Sequence, residues 1–215
     1  MRHSFVPGTV FTLSISAFLL QAQPPRPTGP QGIPPRAAAS DYQAQGKAGE
    51  VTIAAEFTGH ALPAGDSPLN SEDYIGVEVA LFGPDGAKLK ISIEDFSLRL
   101  NAKKQASASQ AFGLTFRSLK DPEYQPPEAP AEKKSKGGVS TGGGGGQGDP
   151  PPSPPPVPIE VRRSWQQRIQ KSALPEGERT LPQGGLLFYQ HRGKVASVEL
   201  IYNGPAGKCT LTLAP

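Results

Sequence analysis

The stretch LPQGGLLFYQHRGKVASVELIYNGPAGKCTLTL, residues 181–213, decides how the rest of the chain is read. Leu186 and Phe188 alternate with Leu187 and Tyr189, which makes one strand apolar on both faces. Val198, Leu200 and Tyr202 follow at the same spacing, and then Cys209, Leu211 and Leu213 with Lys208, Thr210 and Thr212 between them. A period of two is the signature of strands, so the stretch is two or three antiparallel strands that need further strands to pack against.

Those strands lie upstream. Val51, Ile53, Ala55 and Phe57 share one face of a strand over 50–57, and Ile75, Val77, Val79 and Leu81 one face of a strand over 74–82. Gly83, Pro84, Asp85 and Gly86 spell a turn. Leu89, Ile91 and Ile93 predict a third strand, Phe96, Leu98 and Leu100 a fourth, and Phe112, Leu114 and Phe116 a fifth, with a corner at Glu94 and Asp95. The expected fold is mainly β, an antiparallel sandwich of about seven or eight strands.

Twenty-five glycines and 25 prolines in 215 residues mean that much of the chain is not core. Residues 23–48 read as a Pro/Gly-rich linker, with Gly46 and Gly49 arguing against a stable element before residue 50. The domain is expected over 49–215, interrupted at 118–158 by an insertion carrying Lys133, Lys134 and Lys136, a glycine run at 142–146 and a proline run at 150–156. The insertion ends in the one helix the sequence predicts, over 158–174. Val161, Trp165, Ile169 and Ala173 repeat every four residues, Glu160 and Lys171 suit the two ends of its dipole, and Pro175 stops it. Such a helix covers the outside or an open end of the sandwich, anchored by Trp165. Arg162, Arg163, Trp165, Arg168 and Lys171 make it the candidate interaction surface.

Residues 1–22 have the layout of a secretory signal peptide, with Arg2 and His3 at the start, an apolar run over 10–20 and small Ala22. That run is too short for a comfortable membrane span, so no stable span is expected after leader cleavage, and the address is periplasmic or extracellular. A net charge of +3 from 22 basic and 19 acidic residues argues against a nucleic-acid partner. Cys209, the only cysteine, excludes an internal disulfide and fits a small buried hydrophobe.

The chemical motifs fall short one by one. Gly65, Asp66, Ser67, Pro68 and Leu69 resemble the nucleophile block of GDSL hydrolases, yet the strand–helix alternation and closing Asp-x-x-His of that family are missing. Neither His60 nor His191 has a partner at metal-ligand spacing, and the acidic pairs Glu72–Asp73 and Glu94–Asp95 match no calcium loop. The glycine run lacks the Lys and Ser or Thr of a phosphate loop. No cofactor and no metal are expected, and no catalytic residue is assigned.

Three blocks carry a resemblance: 74–82 as a central strand, 95–104 as a Phe-x-Leu strand running into a polar turn, and 175–202 as a closing segment with Pro175–Glu178 ahead of Gly185–Phe188 and Val198–Tyr202. In these the chain resembles the Ig-like extracytoplasmic domains of secreted bacterial proteins and lipoproteins. It departs from them in lacking a lipid-accepting cysteine and in carrying the insertion. The resemblance implies a non-enzymatic binding or structural module of the cell envelope, whose partner is an unidentified protein or envelope polymer. Two alternatives stand beside it: binding of envelope polymer or anionic membrane through the basic insertion and helix, and a GDSL-like ester hydrolase acting through Ser67.

Overall fold

The computed structural model describes residues 29–126 and 157–215. The leader over 1–22, the lysine cluster and the glycine and proline runs lie outside the described residues.

Two four-stranded antiparallel sheets carry the fold. In the first, β1 (Ala44–Ala48), β2 (Val51–Gly59), β5 (Tyr74–Phe82) and β11 (Gln183–Gln190) lie side by side in that order. The second runs β13 (Gly207–Leu213), β12 (Val198–Gly204), β7 (Phe96–Leu100) and β8 (Ser107–Ala108). Smaller pieces complete the set: β3 (Ala61–Leu62), β4 (Leu69–Ser71) and β9 (Leu119–Lys120) form a three-stranded sheet, and β6 (Lys88–Ile91) pairs with β10 (Gly177–Thr180). The expected strand at 74–82 has those bounds in the structure, and the one at 96–100 likewise.

The two main sheets share one core. Ile53, Val77, Val79, Leu187 and Tyr189 from the first meet Phe96, Leu98, Val198, Leu200 and Leu211 from the second, all buried. At about 1.5–3 kcal/mol for each large apolar side chain removed from water, this cluster is the main favourable term in folding. The double apolarity of β11 has a structural counterpart: Leu187 and Tyr189 enter this core, while Leu186 and Phe188 face away into a second one. The outward face of the first sheet therefore also needs cover. Helix α1 (Ile159–Ser172) supplies it with Trp165 and Ile169, and Tyr42 covers Ala54 and Ala80 further along the same face.

Four sequence expectations are corrected. Residues 44–48 are a strand paired with β2 from Ala44 opposite Ala55 to Ala48 opposite Val51, so the ordered domain begins before residue 49. The two glycines that argued against it are what the strand requires. A Cβ on Gly46 would sit 2.6 Å from Cys209 Sγ and 2.9 Å from Leu211 Cδ2, and Gly49, at φ +60°, opens the two-residue turn into β2.

The expected strand at 112–116 is a 3-10 helix, Phe112–Ser118. Three residues per turn bring Phe112, Thr115 and Ser118 onto one side, where Thr115 Oγ1 donates to Phe112 O at 2.7 Å and Ser118 Oγ to Thr115 O at 3.1 Å. Thr115 is consequently buried and Leu114, expected inside, is 53% exposed. The third strand stops at Ile91, because Ser92 Oγ accepts from Glu94 N at 3.2 Å and caps a 3-10 turn, Ile93–Asp95. Helix α1 ends at Ser172, two residues early, since Ala173 turns out of the helix at ψ 146° and Leu174 donates its N–H to Leu186 O at 3.0 Å.

Asn101 and Ala102, both at φ +53°, turn the chain after β7, with Lys103 N donating to Leu100 O at 3.1 Å. Asn101 suits the left-handed region and also accepts from Ala196 N at 2.7 Å, but alanine there is strained. Ala102→Gly is expected to raise the unfolding free energy by about 0.5–1 kcal/mol, less whatever the freer unfolded chain takes back. Urea denaturation of the two proteins checks it.

Candidate functional site

The helix and the segments that meet it form the richest chemistry in the described chain. Val161, Trp165 and Ile169 project from one side of α1 onto the cluster of Leu62, Leu69, Leu119, Leu186 and Phe188, joined by Ala173 just after the helix, so the four-residue stripe read from sequence is the buried side. One turn apart from these anchors, Arg168 is half-buried and fully engaged. Its Nε donates to Ala64 O at 2.8 Å, its Nη1 to Asp121 Oδ2 at 3.0 Å, and its Nη2 to both the carbonyl and, at 3.0 Å, the Oγ of Ser67. A guanidinium fork is suited to such convergent acceptors, and the pair with Asp121 is partly shielded from solvent.

Beside this pair lies a cleft of about 630 Å³ between α1 and the segment running from Phe116 to Tyr124. Phe116, Leu119, Tyr124, Val157 and Trp165 supply its apolar lining. Tyr124 meets Trp165 edge to face, with ring centroids 5.7 Å apart and planes at 82°. Arg117, Lys120, Asp121, Arg162 and Gln166 supply its polar groups. Asp121 is taken by Arg168, and Lys120 pairs with Glu72. Among the described residues neither Arg117 nor Arg162 has an ion-pair partner, so an apolar lining carries two uncompensated cations at its edge.

The five residues of the expected interaction surface are thus divided by the structure. Arg162 lines the cleft, Arg163 is exposed and pairs with Glu160 at 3.0 Å, and Lys171 is exposed and lines a separate groove. Trp165 and Arg168 point inward and hold the helix in place. Sequence reading missed Arg117, Lys120, Tyr124 and Gln166. Arg117 lies just past the expected strand at 112–116, Lys120 and Tyr124 fall in the stretch read as the start of the insertion, where the structure has β9 at Leu119–Lys120, and Gln166 has no distinguishing neighbourhood in sequence. The available signal was the pairing of aromatic Tyr124 with prolines 122, 126 and 127 opposite an anchored Trp165.

Other candidates resolve into structural roles. Ser67 is held by Arg168 in a loop, and His60 turns its Nδ1 to Ser71 O at 2.7 Å and Tyr74 O at 3.0 Å. His60 also lines an open groove with Asn70, Glu72 and Lys120. Among the described residues no group of three or more His, Cys, Asp or Glu is placed to hold a metal ion. No helix among them is long and apolar enough to cross a membrane. Burial pushes the Cys209 thiol up, away from reactive thiolate chemistry.

Comparison with protein-family models, with curated proteins and with solved structures finds no match to this chain. Chemistry and geometry therefore carry the functional reading.

A second charged cluster sits on the outward face of the first sheet. Glu56 and Glu78 stand directly opposite each other on β2 and β5. Arg36 bridges them, its Nη1 2.5 Å from Glu56 Oε2 and its Nη2 3.6 Å from Glu78 Oε2, while its guanidinium lies 4.5 Å over the Tyr42 ring. Burial raises the carboxyl pKa of Glu78 above its ordinary value; Arg36 opposes that shift and Glu56 adds to it.

The folded state therefore holds the Glu78 proton to higher pH than the unfolded chain does. Stability attached to this group is present below the unfolded pKa and is lost as pH rises through the raised folded one. Glu78→Gln keeps the Arg36–Glu56 pair and is expected to melt higher than the unsubstituted protein at neutral pH. The gap should close as pH falls toward 4.5, which a series of thermal melts reads directly.

Proposed function

We propose that this chain is an Ig-like, non-enzymatic binding module exported to the cell envelope, periplasmic or extracellular, and that it takes its ligand in the cleft beside α1. What supports the Ig-like reading is strand order. The run β2-β5-β11 stands where strands A, B and E lie in such domains, and β13-β12-β7-β8 where G, F, C and C′ lie, every pair antiparallel. Between C′ and E, where strand D is expected, comes the long excursion with the 3-10 helix, β9 and α1.

The observation that carries the functional reading is the composition and placement of the cleft. Its lining residues fall at 116–124 and 157–166, all within that excursion. A rigid sandwich with its ligand groups on an inserted connection is the usual division between scaffold and site. A volume of about 630 Å³ with a mostly apolar lining and a few polar groups is suited to a small molecule or a single extended chain. Among the described residues that line it there is no nucleophile with an adjacent base, which favours binding over reaction.

A second reading rests on the exposed Arg162, Arg163 and Lys171, which present cations to envelope polymer or to anionic lipid. It is the weaker of the two, because the aromatic anchor such a surface needs, Trp165, is turned inward. The ester hydrolase is weaker still, with Ser67 committed to Arg168.

Native mass spectrometry of the full chain after incubation with an envelope extract tests the cleft as the ligand face. A bound species is expected on the unsubstituted protein and much less on Gln166→Trp, whose indole intrudes between the cleft's two walls. Equal loading of the two proteins, or no loading of either, overturns the proposal.

A further inference from the structure

The cleft also indicates what kind of ligand it takes. Its lining is aromatic and aliphatic, with Trp165, Tyr124 and Phe116 on the apolar side. Among the described residues its one carboxylate, Asp121, is spent on Arg168, and Lys120 is matched by Glu72. What is left over is positive: Arg117 on the 3-10 helix and Arg162 on the first turns of α1, both exposed and, among the described residues, both without an acidic partner. Two guanidinium groups at the edge of an apolar hollow complement a body that is apolar along its length and anionic at one end. A neutral apolar body would leave both cations unanswered, and a cation would be repelled.

Resting on the reading of this cleft as the ligand face, we propose that its ligand is a single-chain amphipathic anion: an apolar chain against Trp165, Tyr124 and Phe116 with a carboxylate or phosphate between Arg117 and Arg162. The ligand is a molecule taken out of its surroundings, not a bilayer surface. Both aromatic residues that would enter a bilayer, Trp165 and Tyr124, face each other inside the cleft, and the exposed helix face carries charged groups such as Arg163 and Glu160. An anionic phospholipid and a free fatty acid share the head-group chemistry, and the two sources separate in the test.

The probe is dodecanoate, kept below its micelle concentration, titrated into the full chain. Trp165 is the chain's only tryptophan, so its emission reports the cleft without labelling. Dodecanoate is expected to shift that emission saturably, and dodecanol, of the same length without the charge, to bind about tenfold or more weakly. The double variant Arg117→Gln with Arg162→Gln is expected to lose about tenfold or more for dodecanoate and nothing for dodecanol, with an unchanged melting temperature because both side chains are exposed.

Equal binding of the two probes overturns the proposal, as does a double variant that binds dodecanoate unchanged. So does binding to anionic phospholipid vesicles, dependent on these arginines, in a protein that ignores free dodecanoate. If dodecanoate fails while Gln166→Trp still cuts loading from the extract, the ligand class is wrong and the cleft remains the binding face.

Discussion

Everything in this fold follows from the fact that β11 is apolar on both sides. A strand that places Leu187 and Tyr189 in one core and Leu186 and Phe188 in another cannot lie on the surface of a two-layer protein. The first sheet must therefore be covered on both faces, by the second sheet on one and by something outside the two sheets on the other. Helix α1 with β3, β4 and β9 provides that cover at the β11 end, and the chain before β1 provides it over β2 and β5. The edge of β11 is closed as well: Leu174 donates to Leu186 O, and Gln110 donates to Phe188 O at 2.7 Å. An edge strand left open would recruit other chains, and here Gln110 before the 3-10 helix and Leu174 after α1 block that.

Covering a sheet this closely demands small residues beneath the cover. A Cβ on Gly184 would lie 2.8 Å from Ile33 O, and one on Gly185 would lie 2.7 Å from Leu174 N. The Gly184–Gly185 pair thus lets the chain before β1 and the end of the helix reach β11 from opposite faces. The same close approach explains why an isolated reading of Gly46 misleads. Glycine weakens a strand by backbone entropy, but where the side chains of Cys209 and Leu211 press against the β1 backbone it is the residue that allows the strand.

How much was legible in the sequence depended on whether a residue's environment is set by its near neighbours. The strands at 74–82 and 96–100 have uninterrupted alternation and turns or corners beside them, and their bounds could be read directly. The buried stripe of the helix was legible for the same reason. Phe112, Leu114 and Phe116 also alternate, yet hydroxyl-to-carbonyl bonds from Thr115 and Ser118 close a tighter turn and defeat the pattern. Arg168 illustrates the other limit: its acceptors at Ala64, Ser67 and Asp121 are 47 or more positions away, so nothing local marks it as a structural residue.

The cleft was illegible because it belongs to two segments that sequence separates and the fold rejoins. Asp121 and Tyr124 precede the undescribed stretch 127–156, and Val157, Trp165 and Arg168 follow it. Holding two such segments at a fixed spacing costs loop-closure entropy, which the Arg168–Asp121 pair and the Tyr124–Trp165 contact offset at that place. That cost grows only with the logarithm of the number of residues between the ends. The walls are fastened to the double-faced strand through Trp165, Leu119 and Phe188. The groups that line the cleft are therefore fixed by the fold itself, which is the preorganisation the proposed ligand would need to bind with little reordering.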